Sequence, residues 1–223
     1  MSTGLRKFTQ AAQPEPPEPP EQEQAGEQCE MCVEPIGGAH SHVVNTGSRS
    51  IMCVCRACYL LFTHSGAAGG KYRAVPDRYL YDPAFTISEV QWNALQIPVG
   101  MAFFFPNSDL DQWVAFYPSP AGATESLLPL EAWEEIIGDN PMVGDAAPDV
   151  EAILLRRREE HFECYLVPID ACYELVGRVR LHWKGFGGGE EAWQAIDDFF
   201  ANVRERAKSA VGRVAAREGG GDG

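Results

Sequence analysis

Residues 29–62 read CEMCVEPIGGAHSHVVNTGSRSIMCVCRACYLLF and carry five of the seven cysteines of the 223-residue chain. Two C-x2-C pairs, Cys29/Cys32 and Cys55/Cys58, stand about twenty residues apart, which is the spacing of a structural metal site. One C-x2-C turn aims two thiolates at an ion, and a second such turn completes a tetrahedron. Thiolates are soft donors and suit zinc or iron. The chain between the pairs fits a hairpin. His42–Asn45 is extended and β-branched, residues 45–48 supply turn formers, and Arg49–Val54 read as the return strand. Arg56–His64 then reads as a helix with Leu60, Leu61 and Phe62 turned inward.

A knuckle, a hairpin and a helix bearing the second ligand pair follow one another in the order of a treble-clef zinc finger, close to a zinc ribbon. The module spans residues 28–66. A segment of about forty residues rarely supports its own core, so the ion is expected to hold it folded. Cys29, Cys32, Cys55 and Cys58 are the favoured ligands, because both pairs then share one spacing. Cys53 lies two residues before Cys55, and on a strand both would share a face. It can replace Cys55 or stand as a free thiol beside the site. Zinc is favoured over iron, since iron knuckles of the rubredoxin type carry Pro and Gly where this chain has CEMC and CRAC. His40 and His42 on the hairpin and His64 at the helix end raise the reading of an HNH-type nuclease. The sequence shows no second metal-binding set, and each histidine is therefore read as a surface or core residue.

The remainder, residues 67–217, reads as an α+β domain with an antiparallel sheet. A helix through Glu89, Trp92 and Leu95 has Thr86 or Ser88 as its cap. Val99–Phe105 and Gln112–Tyr117 form a hairpin around residues 107–109. The stretch PSPAGATES, residues 118–126, is a turn rather than a substrate loop built on Ser119, Thr124 and Ser126. A short helix spans Leu130–Gly138. Val150–Leu155 and Phe162–Val167 are two more strands, and the arginines 156–158 between them form a solvated hairpin end. Cys164 and Cys172 are small core residues. Asp170 caps a helix over Ala171–His182. GFGGG, residues 185–189, lacks the Lys and Ser/Thr of a phosphate loop and reads as a linker. A long C-terminal helix, Glu190–Arg217, presents Trp193, Ile196, Phe200 and Val203 on one face.

With 18 Lys+Arg against 32 Asp+Glu, the net charge is −14. Nucleic acids and anionic membranes would repel such a chain, so neither is an expected partner. Residues 1–27 form an acidic, proline-rich tail that cannot bury enough surface to order itself, and residues 218–223 are a second disordered tail. The N-terminal stretch has no apolar signal region, and no apolar run reaches membrane-spanning length. A cytoplasmic location is expected, where free cysteines serve as ligands before disulfides.

The segments CEMC, CVCRACYLLF, YRAVPDRY, FYPSPAGATES, PDVEAILL, LVPIDACYELVGRVRLHWKG and WQAIDDFF together resemble an uncharacterised, mainly actinobacterial family of unknown function. That family is connected with the gene neighbourhoods of nickel–iron hydrogenases and their maturation factors. The resemblance implies a non-catalytic accessory protein for assembly or maturation of such a hydrogenase, with hydrogenase subunits or maturation factors as protein partners. It brings no catalytic residues with it. The residues leave open an iron-thiolate redox carrier and, more remotely, an enzyme.

Overall fold

Three apolar runs, Met101–Phe104, Ala152–Leu155 and Cys164–Val167, are buried on both sides, as expected of strands covered by other elements on each face. Alternate residues point in opposite directions along a strand. Phe103, Leu154 and Tyr165 join one apolar cluster, whereas Phe104, Ile153 and Leu166 join another. The computed structural model describes residues 26–210 apart from 65, 128 and 160. Of the tails expected at residues 1–27 and 218–223, all but residues 26 and 27 lie outside the described residues.

A small sheet comes first: β1 (Ser41–Asn45), β2 (Ser50–Val54) and, after helix α1 (Arg56–Leu60), β3 (Tyr72–Ala74), in the order β2-β1-β3. The large sheet contains β4 (Leu80–Tyr81), β5 (Met101–Asn107), β6 (Gln112–Ser119), β7 (Gly122–Ser126), β8 (Glu151–Arg157), β9 (Phe162–Pro168) and β10 (Lys208–Ser209). Its order is β10-β4-β9-β8-β5-β6-β7, antiparallel except for the β10–β4 pair. Helices α2 (Glu89–Ala94) and α3 (Leu130–Asp139) cover one face through Trp92, Trp133 and Ile136. Helices α4 (Ile169–His182) and α5 (Glu190–Arg206) cover the other through Leu175, Val179, Ile196 and Phe199. The chain is thus a mixed α+β protein with antiparallel sheets and a C-terminal helix.

Several local expectations are revised. The small sheet takes its third strand from residues 72–74, beyond the bound of 66, because β1 would otherwise expose a second open edge. Phe62 packs inward as expected, but Leu60 and Leu61 are exposed, and Tyr59 takes the inward place beside Phe62. Residues 122–126 are a strand paired with β6, and Ser119 and Thr124 hydrogen-bond within that turn rather than line a substrate loop. Arg156 is buried, paired with Asp197 and stacked on Phe200, so the arginine run is not wholly solvated. Asp170 sits inside the first turn of α4, with Pro168 at the cap position.

The C-terminal helix ends at Arg206, not Arg217, although residues 211–217 lie outside the described residues. Lys208 and Ala210 instead donate backbone N–H groups to the carbonyls of Tyr79 and Tyr81, satisfying the open edge of β4. Phe199, not half-exposed Trp193, shares the buried face of α5 with Ile196 and Phe200. The glycine linker before α5 is needed for close approach: Gly188 has φ 84°, and a Cβ there would meet the Trp183 ring at 3.0 Å.

Candidate metal centre

The first knuckle is a tight turn flanked by paired backbone. Cys29 N–H donates to the Glu34 carbonyl, Val33 N–H to the Cys29 carbonyl, and Ile36 N–H to the Glu27 carbonyl, each at 2.8 Å. Val33 is held at φ 65°, a left-handed conformation unfavourable for a β-branched residue. The turn is therefore imposed by its surroundings rather than chosen by Val33. The second pair is placed by α1. Cys55 caps that helix, and its sulfur accepts from the Cys58 N–H at 3.5 Å.

These two turns bring the sulfurs of Cys29, Cys32, Cys55 and Cys58 within 4.8 Å of one another, a group that could hold a metal ion. Metal–sulfur bonds of about 2.3 Å in a tetrahedron set the sulfurs roughly 3.8 Å apart. The Cys32 and Cys55 sulfurs already stand 3.6 Å apart. Burial raises the Cys29 thiol, but backbone N–H groups of Cys55, Cys32 and Met31 outweigh it and bring the thiol down to about 6. The Cys32 side chain, then burial, pushes Cys58 up to about 12. Clustered thiols resist joint ionisation, and a cation at their centre removes that conflict.

Cys53 does not share this centre. The strand ends at Val54, and Cys55 turns into the helix cap instead of continuing the two-residue alternation. Val43, Met52 and Val54 face the cysteine centre, while His42, Val44, Ile51 and Cys53 belong to the opposite face of the hairpin. Cys53 is paired in register with His42 and grouped with His40 and His42, each offering a ligand atom within 4.8 Å of the others. Burial, then the Glu30 and Glu27 carboxylates, pushes the Cys53 thiol up. His42 Nδ1 lies 2.6 Å from Asp170 Oδ2, a contact across 128 positions that no local pattern announces. His64 joins neither group. Cys164 and Cys172 are fully buried core residues, as the sequence suggested, and burial raises both thiols.

The second group opens on a cleft of about 830 Å³ between the small sheet and the start of α4, bordered by His40, His42, Cys53, Tyr79, Asp170 and Tyr173. Among the described residues no helix is long and apolar enough to cross a membrane.

Residues 28–207 match the model of the family of unknown function DUF5947, and the chain belongs to that family. No curated protein and no solved structure matches it.

Proposed function

We propose that this member of a family of unknown function is a non-catalytic accessory protein. Its Cys29/Cys32/Cys55/Cys58 centre is a structural zinc site of treble-clef type, and it acts in assembly or maturation of a nickel–iron hydrogenase through protein–protein contacts. The observation that carries the metal part is the convergence of two C-x2-C turns, with all four ligand positions filled by protein thiols. A closed site of that kind holds structure and leaves no position for a substrate. The hydrogenase part is supported by the sequence segments that resemble the hydrogenase-linked family.

Metal content and visible absorbance of protein purified without oxygen test the first part. A tightly held zinc, colourless and lost in Cys58→Ser, is the expected result. Iron with visible thiolate absorbance would overturn it in favour of a redox carrier. Gene deletion tests the second part: the expected outcome is an inactive hydrogenase with unprocessed subunits, and normal hydrogenase activity would refute it.

A further inference from the structure

We infer that His40, His42 and Cys53 form a second site, for a divalent transition-metal ion of the zinc class, with its open coordination position facing the cleft. This inference goes beyond the accessory reading, and its test rests only on the four-cysteine centre holding zinc. The three side chains come from one hairpin. His42 and Cys53 are direct cross-strand partners, and His40 lies two residues before His42, where side chains return to the same face. The two imidazole rings stand 4.8 Å apart, edge to face. One imidazole-rich set with a single thiolate suits zinc, cobalt, nickel or copper rather than magnesium or calcium.

The surroundings orient each ligand. Metal-bound histidines generally give their second ring nitrogen to a carboxylate or a backbone carbonyl. His42 Nδ1 has the Asp170 carboxylate at 2.6 Å. His40 Nδ1 has the Gly37 carbonyl at 2.9 Å and the Glu27 carboxylate at 3.4 Å. Both rings are thus fixed through Nδ1, which leaves Nε2 to carry an ion. His40 Nε2 is buried and has no hydrogen-bond partner, a costly state for a ring nitrogen unless something else satisfies it. Cys53 is clamped by the first knuckle: Glu30 N–H donates to the Cys53 carbonyl at 2.9 Å, and the Glu30 carboxylate accepts the Cys53 N–H.

Each of the three ligand residues therefore touches a carboxylate: Glu27, Asp170 or Glu30. Of the three arginines that border the cleft, Arg49 pairs with Asp109 and Arg206 with Asp77, both at 2.9 Å, while Arg56 lies over the Tyr59 ring at 4.8 Å. The three carboxylates nearest the ligands favour a cation between them. On binding, the Cys53 thiol loses its proton to solvent and the thiolate donates to the ion, with no change of oxidation state. Three protein ligands leave the fourth position to water or to a ligand entering from the cleft.

The test is cobalt titration of the full chain with its first site loaded with zinc. The expected result is one further Co²⁺ per chain, with tetrahedral ligand-field bands and a thiolate-to-cobalt charge-transfer band. With Cys164 and Cys172 buried and the other four cysteines on zinc, Cys53 is the sulfur that can supply that band. His40→Ala, His42→Ala and Cys53→Ser should each abolish the second equivalent while keeping the zinc. Asp170→Asn should weaken it roughly 10- to 100-fold, as loss of such an orienting carboxylate does. No second equivalent in the wild-type protein, or one without the charge-transfer band, overturns the inference. So does a second equivalent that survives the three substitutions. The wild-type spectrum decides the matter even where a variant loses its zinc.

Discussion

Around the Cys29–Cys58 centre the buried apolar cluster consists, among the described residues, of Cys29, Val43, Val54 and Cys58. Half of that cluster is cysteine from the candidate metal centre. The seven-stranded sheet is different: Phe103, Leu154 and Phe199 lie in one covered face, and Phe104, Trp133 and Leu166 in the other. The first region has few fully buried apolar residues, and on the proposed reading an ion at the four cysteines supplies the difference. The second has a core of ordinary domain size and needs none. The two meet along Val44 and Ile51, which pack on the large core from the far face of the hairpin.

The largest expected effect breaks this contrast from the module's side. Structural zinc contributes about 10–16 kcal/mol in small modules, so chelation or Cys58→Ser should unfold the segment outright. Hydrogen exchange should then show β1 and β2 unprotected while β8 and β9 remain protected. Equal loss in both regions would mean that the module and core form one cooperative unit. From the core's side, Leu154→Ala should cost about 2–5 kcal/mol in urea denaturation, with the first metal still bound.

A charge pair with one buried partner comes next. Arg78 donates Nε–H to Glu151 Oε1 at 2.6 Å, and Glu151 is 1% exposed beside the Ala147 N–H at 2.9 Å. Its partner Glu151 holds the Arg78 guanidinium firmly charged. Arg78→Met leaves a buried carboxylate without its countercharge and should cost about 3 kcal/mol at neutral pH. Ser88 and Gln91 form a reciprocal capping box at the start of α2, and Ser88→Ala should cost about 1 kcal/mol. The smallest effect belongs to the knuckle. Val33→Gly relieves a left-handed φ and should change stability by less than about 1 kcal/mol, in the stabilising direction for the metal-loaded protein.

Much of the fold was legible because its signals are local. Ser88 before an apolar-periodic helix, the apolar runs of β5, β8 and β9, and the turn residues 45–48 all carry their own instructions. The elements that escaped are those set by distant partners. β7 and β10 are strands only because β6 and β4 offer open edges, and Arg156 is buried only because Asp197 and Phe200 receive it. The second ligand group was half visible. A hairpin centred between Gly47 and Ser48 puts His42 opposite Cys53, and that arithmetic was available from the sequence. Asp170 was not, since only the docking of α4 against the small sheet brings it to His42.

The sequence by itself determined the four-cysteine cluster and most of the order of apolar strands and helices. C-x2-C spacing fixes ligand geometry within a turn, and burial patterning fixes which face of an element seeks the core. Only the tertiary structure decided which side of the hairpin Cys53 takes and what surrounds it. The end of β2 at Val54 breaks the two-residue alternation, and the packing of the small sheet on α4 supplies carboxylate, cleft and neighbouring rings from positions far apart in the chain.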